Sequence, residues 1–262
     1  MLDFATSFLY FAVATALPAI AGLALVTSAS SLVRPRYLIA LSFGIFFWFF
    51  SDTIGTSSYL DVQAGFSGGG VQIAILVLFI IGVVLFFAAD RGLFSSLPAG
   101  PGLAIPMLVA VALGIHGFGE GTAFGSTAAG TSGTDLLETF GGVSGGTAYV
   151  LHKLLEPMMV GAVYVAAREG AVAMSRRFKD VLILAGLFVV PSLIGAVTGY
   201  FLEYDATYFF ALGTGSAVYV AFRLVRHLFV GGEAQGRWES ARVALWLLAG
   251  FLAIYIVALF HS

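Results

Sequence analysis

The sequence predicts an all-α membrane protein with eight transmembrane helices, and three observations carry that prediction. Of its 262 residues, 60% are hydrophobic and only 10% are charged, whereas a water-soluble domain carries about 25% charged residues. The mean hydropathy is +1.00, which makes lipid the main solvent. The apolar residues also gather into eight stretches of about 20 residues, the length a helix needs to cross about 30 Å of hydrocarbon.

The first stretch covers residues 4–27. Asp3 precedes it and the first basic residue is Arg34, so it lacks the cationic start of a cleavable signal peptide and is expected to remain as a permanent span. Arg34-Pro35-Arg36 breaks the chain before the second stretch, 37–55. The third, 71–89, ends at Asp90-Arg91, and Pro98 and Pro101 precede the fourth, 103–123. The fifth, 148–167, is followed by the polar cluster 168–180, and the sixth and seventh cover 181–200 and 208–224. The polar run 231–239 then leads to the eighth, 241–260. No break is long enough for a second domain, so residues 1–262 are expected to form a single transmembrane transport domain.

Charge placement orients these spans. Arg34, Arg36, Arg91, Arg168, Arg176, Arg177, Lys179, Arg223, Arg226, Arg237 and Arg242 all lie in or beside alternate loops. The other loops carry acids only: Asp61, Asp135, Glu138, Glu203 and Asp205. By the positive-inside rule the basic loops are cytoplasmic and both termini lie outside, as in a multi-pass protein of the plasma (inner) membrane. Spans one to three then start outside and spans six to eight start inside, so two inverted three-helix units flank a central antiparallel pair, with a binding site expected near the midplane. No sequence repeat marks these units. The 33 glycines are read mainly as close-packing positions between helices. With no cysteine, disulfides, thiolate metal sites and cysteine nucleophiles are excluded. Nothing suggests a nucleic-acid partner.

Ionisable side chains inside a bilayer are expensive and mark function by default, and here the central pair concentrates them. Span four contains His116-Gly117-Phe118-Gly119-Glu120, and span five contains His152-Lys153-Leu154-Leu155-Glu156-Pro157. Residues four apart share a helix face, so each span offers an imidazole beside a carboxylate. Because the spans are antiparallel, packing them face to face brings His116 level with Glu156 and Glu120 level with His152. Two imidazoles and two carboxylates suit Zn²⁺, Fe²⁺, Mn²⁺ or Co²⁺ better than Ca²⁺ or Mg²⁺, which favour oxygen cages. Pro157 lacks an N–H and frees the carbonyl of Lys153, which predicts a kink at the site. The bland alternative is a buried network in which Lys153, the one cation left over from the basic loops, neutralises Glu120 or Glu156 and ties the helices together.

These motifs resemble those of the ZIP (Zrt/Irt-like) metal transporters. His116-Gly-Phe-Gly-Glu120-Gly and His152-Lys-Leu-Leu-Glu156 match the frame of that family's fourth and fifth helices. Eight spans, outside termini and a central helix pair match its topology. The resemblance implies that His116, Glu120, His152 and Glu156 are transport-site ligands and that the protein moves a divalent metal, Zn²⁺ or Fe²⁺ foremost, into the cytoplasm. The implied class is a transporter, not an enzyme. Gly117 stands where Asn is common, and Gly119 and Leu155 stand where Pro is frequent. Lys153 replaces the Asn or Asp that helps bind a second metal in binuclear members, so a single-metal site is expected, with Lys153 blocking the second. The loop after span three is short and carries no histidine, which leaves it no reservoir role.

Asp52, beside Ser51, Thr53 and Thr56 near the outer end of span two, is either an entrance ligand or an interfacial acid. Glu203 and Asp205 are read as solvated outer-loop acids that attract cations. His227 and His261 are read as incidental, and Phe46-Phe47-Trp48-Phe49-Phe50 as lipid-facing or packing surface. The expected partners are the metal ion and membrane lipid, with a homodimer as the oligomeric alternative. Two competing functions use the same residues: an intramembrane metalloenzyme with an open metal position, and a proton-coupled solute carrier relaying through Glu120, Glu156 and Lys153.

Overall fold

The computed structural model describes residues 3–29, 32–63, 70–94, 102–130, 136–168, 173–202, 206–229 and 237–259. They are almost all helical, with no strand among them. The helices are α1 (Phe4–Ala29), α2 (Pro35–Gln63), α3 (Gly70–Ala89), α4 (Ala104–Gly130), the short α5 (Leu136–Thr139), α6 (Gly142–Ala167), α7 (Met174–Phe201), α8 (Thr207–Phe229) and α9 (Arg237–Ala258). A π-helical turn, Asp90–Phe94, closes α3. Six helices are long and apolar enough to cross a membrane, and Pro35–Trp48 of α2 adds a shorter apolar segment. The chain is therefore an all-α multi-pass membrane protein. Helices suit that medium because each satisfies its own backbone N–H and C=O groups where water cannot. Buried hydroxyls do the same locally: Thr27 donates to the Leu23 carbonyl, Ser42 to Leu38 and Thr122 to Phe118, each one turn back on its own helix.

The helices pack in two groups. α1, α4, α6 and α7 form one, with α4 lying along α7 and α1 along α6. α2, α3, α8 and α9 form the other, with α2 along α9 and α3 along α8. The groups meet where α8 packs on α4 and α2 on α6. Glycine makes the closest of these seams. A methyl group at Gly114, Gly121 or Gly125 of α4 would collide with the backbone carbonyls of Leu187, Ser192 and Ala196 on α7. Reciprocally, one at Gly195 or Gly199 would collide with Phe118 and Thr122. With hydrocarbon on both sides of a helix, such close van der Waals packing replaces hydrophobic burial as the driving force.

Three acid–tyrosine–arginine clusters pin helix ends that carry the basic residues. Asp90 accepts from the Tyr219 hydroxyl at 2.6 Å and pairs with Arg223 Nε at 2.7 Å, joining α3 to α8. Asp180 accepts from Tyr164 at 2.9 Å and Arg168 at 2.7 Å, joining α7 to α6. Glu239 accepts from Tyr37 at 3.0 Å and pairs with Arg34 at 3.7 Å, joining α9 to α2.

The aromatic run on α2 divides three ways. Phe46 is buried in the core, Phe47 is exposed, and Trp48 packs edge-on against Phe251 and Tyr255 of α9. The side chains of Phe49 and Phe50 lie outside the described residues.

Candidate metal centre

α4 and α6 run antiparallel and bring the two His-x-x-x-Glu pairs face to face. His152 Nε2 lies 3.3 Å from Glu120 Oε1 and 3.6 Å from Glu156 Oε1. His116 Nε2 lies 3.9 Å from each of the same two oxygens. One ligand atom from each of the four residues falls within 4.8 Å of all the others. Bonds of about 2.0–2.2 Å from a tetrahedral ion to nitrogen and oxygen imply ligand–ligand edges of about 3.3–3.6 Å. The four His–Glu edges fall on or just above that range, so a small inward adjustment fits a four-coordinate divalent ion.

Lys153 organises the back of this site. Its Nζ bonds Oε2 of Glu120 and lies 2.6 Å from Oε2 of Glu156. Each carboxylate thus gives one oxygen to the ammonium and turns the other toward the imidazoles. Lys153 and Glu156 are fully buried, whereas His116, His152 and Glu120 keep 12–14% of their side-chain surface. An ion therefore approaches past the histidines and Glu120, and the lysine side is closed. The rings of Phe188 and Tyr149, centred 5.1 and 5.8 Å from Nζ, complete that closure, and the Tyr149 hydroxyl is hydrogen-bonded to Thr15 Oγ1 at 2.8 Å. Two carboxylates and one ammonium leave the pocket with a net charge of −1, which favours a cation but holds it less tightly than two carboxylates alone would.

No family model and no curated protein matches the chain. What this site can do is thus argued from its own residues.

The bland alternative gave Lys153 one glutamate, and it meets both. Its ion-pair network ties α4 to α6, as the bland reading required, and still leaves an oxygen of each carboxylate for an ion. Gly117, where the resemblance would favour Asn, faces α7 closely: a Cβ there would make the Ser192 hydroxyl turn aside. Gly119 and Gly213 have a parallel role. A Cβ at Gly119 would meet the Phe210 ring, and one at Gly213 would meet the backbone of His116. These glycines let α8 cover the site, with Phe210 stacked obliquely on His116 at 5.2 Å between ring centres. Ser192, Phe210 and Tyr149 were not singled out from the sequence, because nothing local ties them to the motifs. Asp52 lies on α2, but its side chain is outside the described residues, as are those of Glu203, Asp205, His227 and His261.

Proposed function

We propose that the protein is a carrier for a divalent transition-metal ion of the Zn²⁺ or Fe²⁺ type, moving it into the cytoplasm through the His116–Glu120–His152–Glu156 site. The observation that carries this reading is the convergence of four nitrogen and oxygen ligands on one point between membrane-embedded helices. On this reading the chain is ZIP-like, with eight spans, both termini outside and no catalytic chemistry. The packing supports two inverted three-helix units around the central pair α4 and α6. Exchanging α1 with α7, α2 with α8, α3 with α9 and α4 with α6 turns the α1–α6 contact into α7–α4, α2–α9 into α8–α3, and α2–α6 into α8–α4. Such a relation lets a midplane site be reached alternately from either side.

In the transport step the ion sheds water to two imidazoles and one oxygen of each glutamate. Lys153 keeps the other carboxylate oxygens occupied, which limits the site to one ion and leaves the bound ion partly repelled and releasable. The ligand set excludes no first-row metal by itself, since affinity order is shared across such sites.

The test is uptake into liposomes across Zn²⁺, Fe²⁺, Mn²⁺, Co²⁺ and Cd²⁺, comparing the wild type with Ala substitutions at the four ligands. Glu156→Ala is expected to abolish uptake while the protein remains folded. Undiminished uptake of every metal by that variant would sink the proposal. The bridging of both glutamates by Lys153 also suits a proton-coupled solute carrier. Failure of any of these metals to bind by calorimetry, together with solute uptake driven by a pH gradient, would move the assignment there.

A further inference from the structure

We propose a second binding site, for the headgroup of an anionic phospholipid, in the cleft between the end of α3, the start of α4 and α8. It rests on the membrane assignment but not on the metal site. The cleft has a volume of about 630 Å³ and a mixed lining, in which Arg91, Arg223 and Asp90 stand beside Phe87, Ala104 and Ile105. Arg223 meets Asp90 through Nε at 2.7 Å and more loosely through a terminal nitrogen at 3.5 Å, yet keeps 40% of its side chain exposed. The guanidinium of Arg91 rests over the Phe87 ring, 5.5 Å from its centre. Among the described residues, two arginines against the single carboxylate of Asp90 give the lining a net charge of +1. A phosphate diester complements that charge, and guanidinium groups recognise phosphate oxygens in paired fashion.

The surroundings favour a lipid over a free anion. Ile73, Leu76, Val77, Ile80, Val84 and Phe87 are all exposed, and their spacing places them on one face of α3 that runs directly into the cleft. An acyl chain can lie along that stripe while the headgroup reaches the arginines. The arginine-bearing helix ends are also the ends the positive-inside rule places at the cytoplasmic leaflet, where anionic lipid is enriched and basic pockets between helices bind headgroups. Ile105 lies 11 residues before His116 on α4, about 17 Å along the axis at about 1.5 Å per residue. The cleft is thus separate from the metal centre.

The experiment is native mass spectrometry of the detergent-purified full chain with added phosphatidylglycerol or phosphatidylcholine. Phosphatidylglycerol is expected to remain bound where phosphatidylcholine does not. Arg91→Gln should lower its retention about five-fold, the effect of losing one cation at a membrane surface. Ala104→Phe, which adds bulk to the lining of the cleft, should lower it as well. Arg176→Gln, an exposed cation at the start of α7, should leave retention unchanged. Equal retention of both lipids, an unchanged Arg91→Gln variant, or an equal loss in Arg176→Gln would each overturn the site. Displacement of the lipid by millimolar inorganic phosphate would replace the lipid with a free anion and overturn the assignment. Metal uptake by the same Arg91→Gln protein is expected to persist in phosphatidylcholine liposomes. A failed lipid test with intact uptake therefore separates this proposal from that of the metal centre.

Discussion

Lys153 decides how the candidate centre behaves. A fully buried ammonium between two carboxylates satisfies charges that would otherwise stand unpaired, and removing one partner of such a group typically costs about 3–5 kcal/mol. Lys153→Asn should therefore lower the melting temperature of the metal-free protein. It should also raise metal affinity at least about ten-fold, equivalent to about 1.4 kcal/mol of relieved repulsion, and admit a second ion. Calorimetry with Zn²⁺ measures both, and unchanged affinity with unchanged stoichiometry would show that Lys153 neither weakens nor limits binding. The four ligands were legible because a spacing of four is local to a helix: His116 with Glu120 and His152 with Glu156 needed no tertiary information. That Lys153 takes one oxygen from each glutamate was not legible, because it depends on the register between α4 and α6. The tyrosine–arginine spacing of four in Tyr164…Arg168 and Tyr219…Arg223 was a local signal for the clusters on Asp180 and Asp90. Their carboxylates arrive from other helices, so the spacing alone did not name them.

At the level of the helix, hydropathy finds the middles and misses the ends. α6 begins at Gly142, six residues before its apolar stretch, because Gly-Val-Ser-Gly-Gly-Thr carries too little apolar surface to register. α2 continues past residue 55 to Gln63 through Thr56, Ser57 and Ser58 for the same reason. The short α5 was not foreseen, and it hands the chain to α6 through Gly141 and Gly142, whose φ of 79° and 83° lie where only glycine is comfortable. Which glycines matter was equally hidden among 33. Contact with α7 singles out Gly114, Gly121 and Gly125. Gly121→Val would force α4 away from the Ser192 carbonyl, at about 1–3 kcal/mol for overpacking. Gly130→Val at the end of the same helix, where a Cβ meets nothing, should change little. Thermal unfolding in detergent compares the two, and equal melting temperatures would show that the α4–α7 seam tolerates a wider gap. Because Gly121 shares α4 with His116 and Glu120, Gly121→Val should also weaken metal binding.

Across the whole molecule, direction of transport depends on which helix ends face which side. The chain contains no cysteine, so single cysteines can be introduced into the native background without a preparatory substitution. Glu138 in α5 and Arg176 near the start of α7 are both exposed and lie at opposite ends of the bundle, since α6 separates them along its full length. The proposed orientation puts position 138 outside and position 176 in the cytoplasm. In intact cells a membrane-impermeant maleimide should label Glu138→Cys and spare Arg176→Cys until the membrane is opened. Labelling of both from outside would break the antiparallel arrangement of α6 on which the four-ligand site depends. Labelling of Arg176→Cys alone would preserve the site and reverse the protein, turning the proposed importer into an exporter with the same chemistry. The arginines of the clusters joining α3 to α8 and α6 to α7, on the side proposed as cytoplasmic, argue against that reversal: Arg223 and Arg168 are each fixed to an aspartate yet add to the cationic total of their side. The positive-inside preference counts lysine and arginine rather than net charge, so pairing with Asp90 and Asp180 leaves the orienting signal intact.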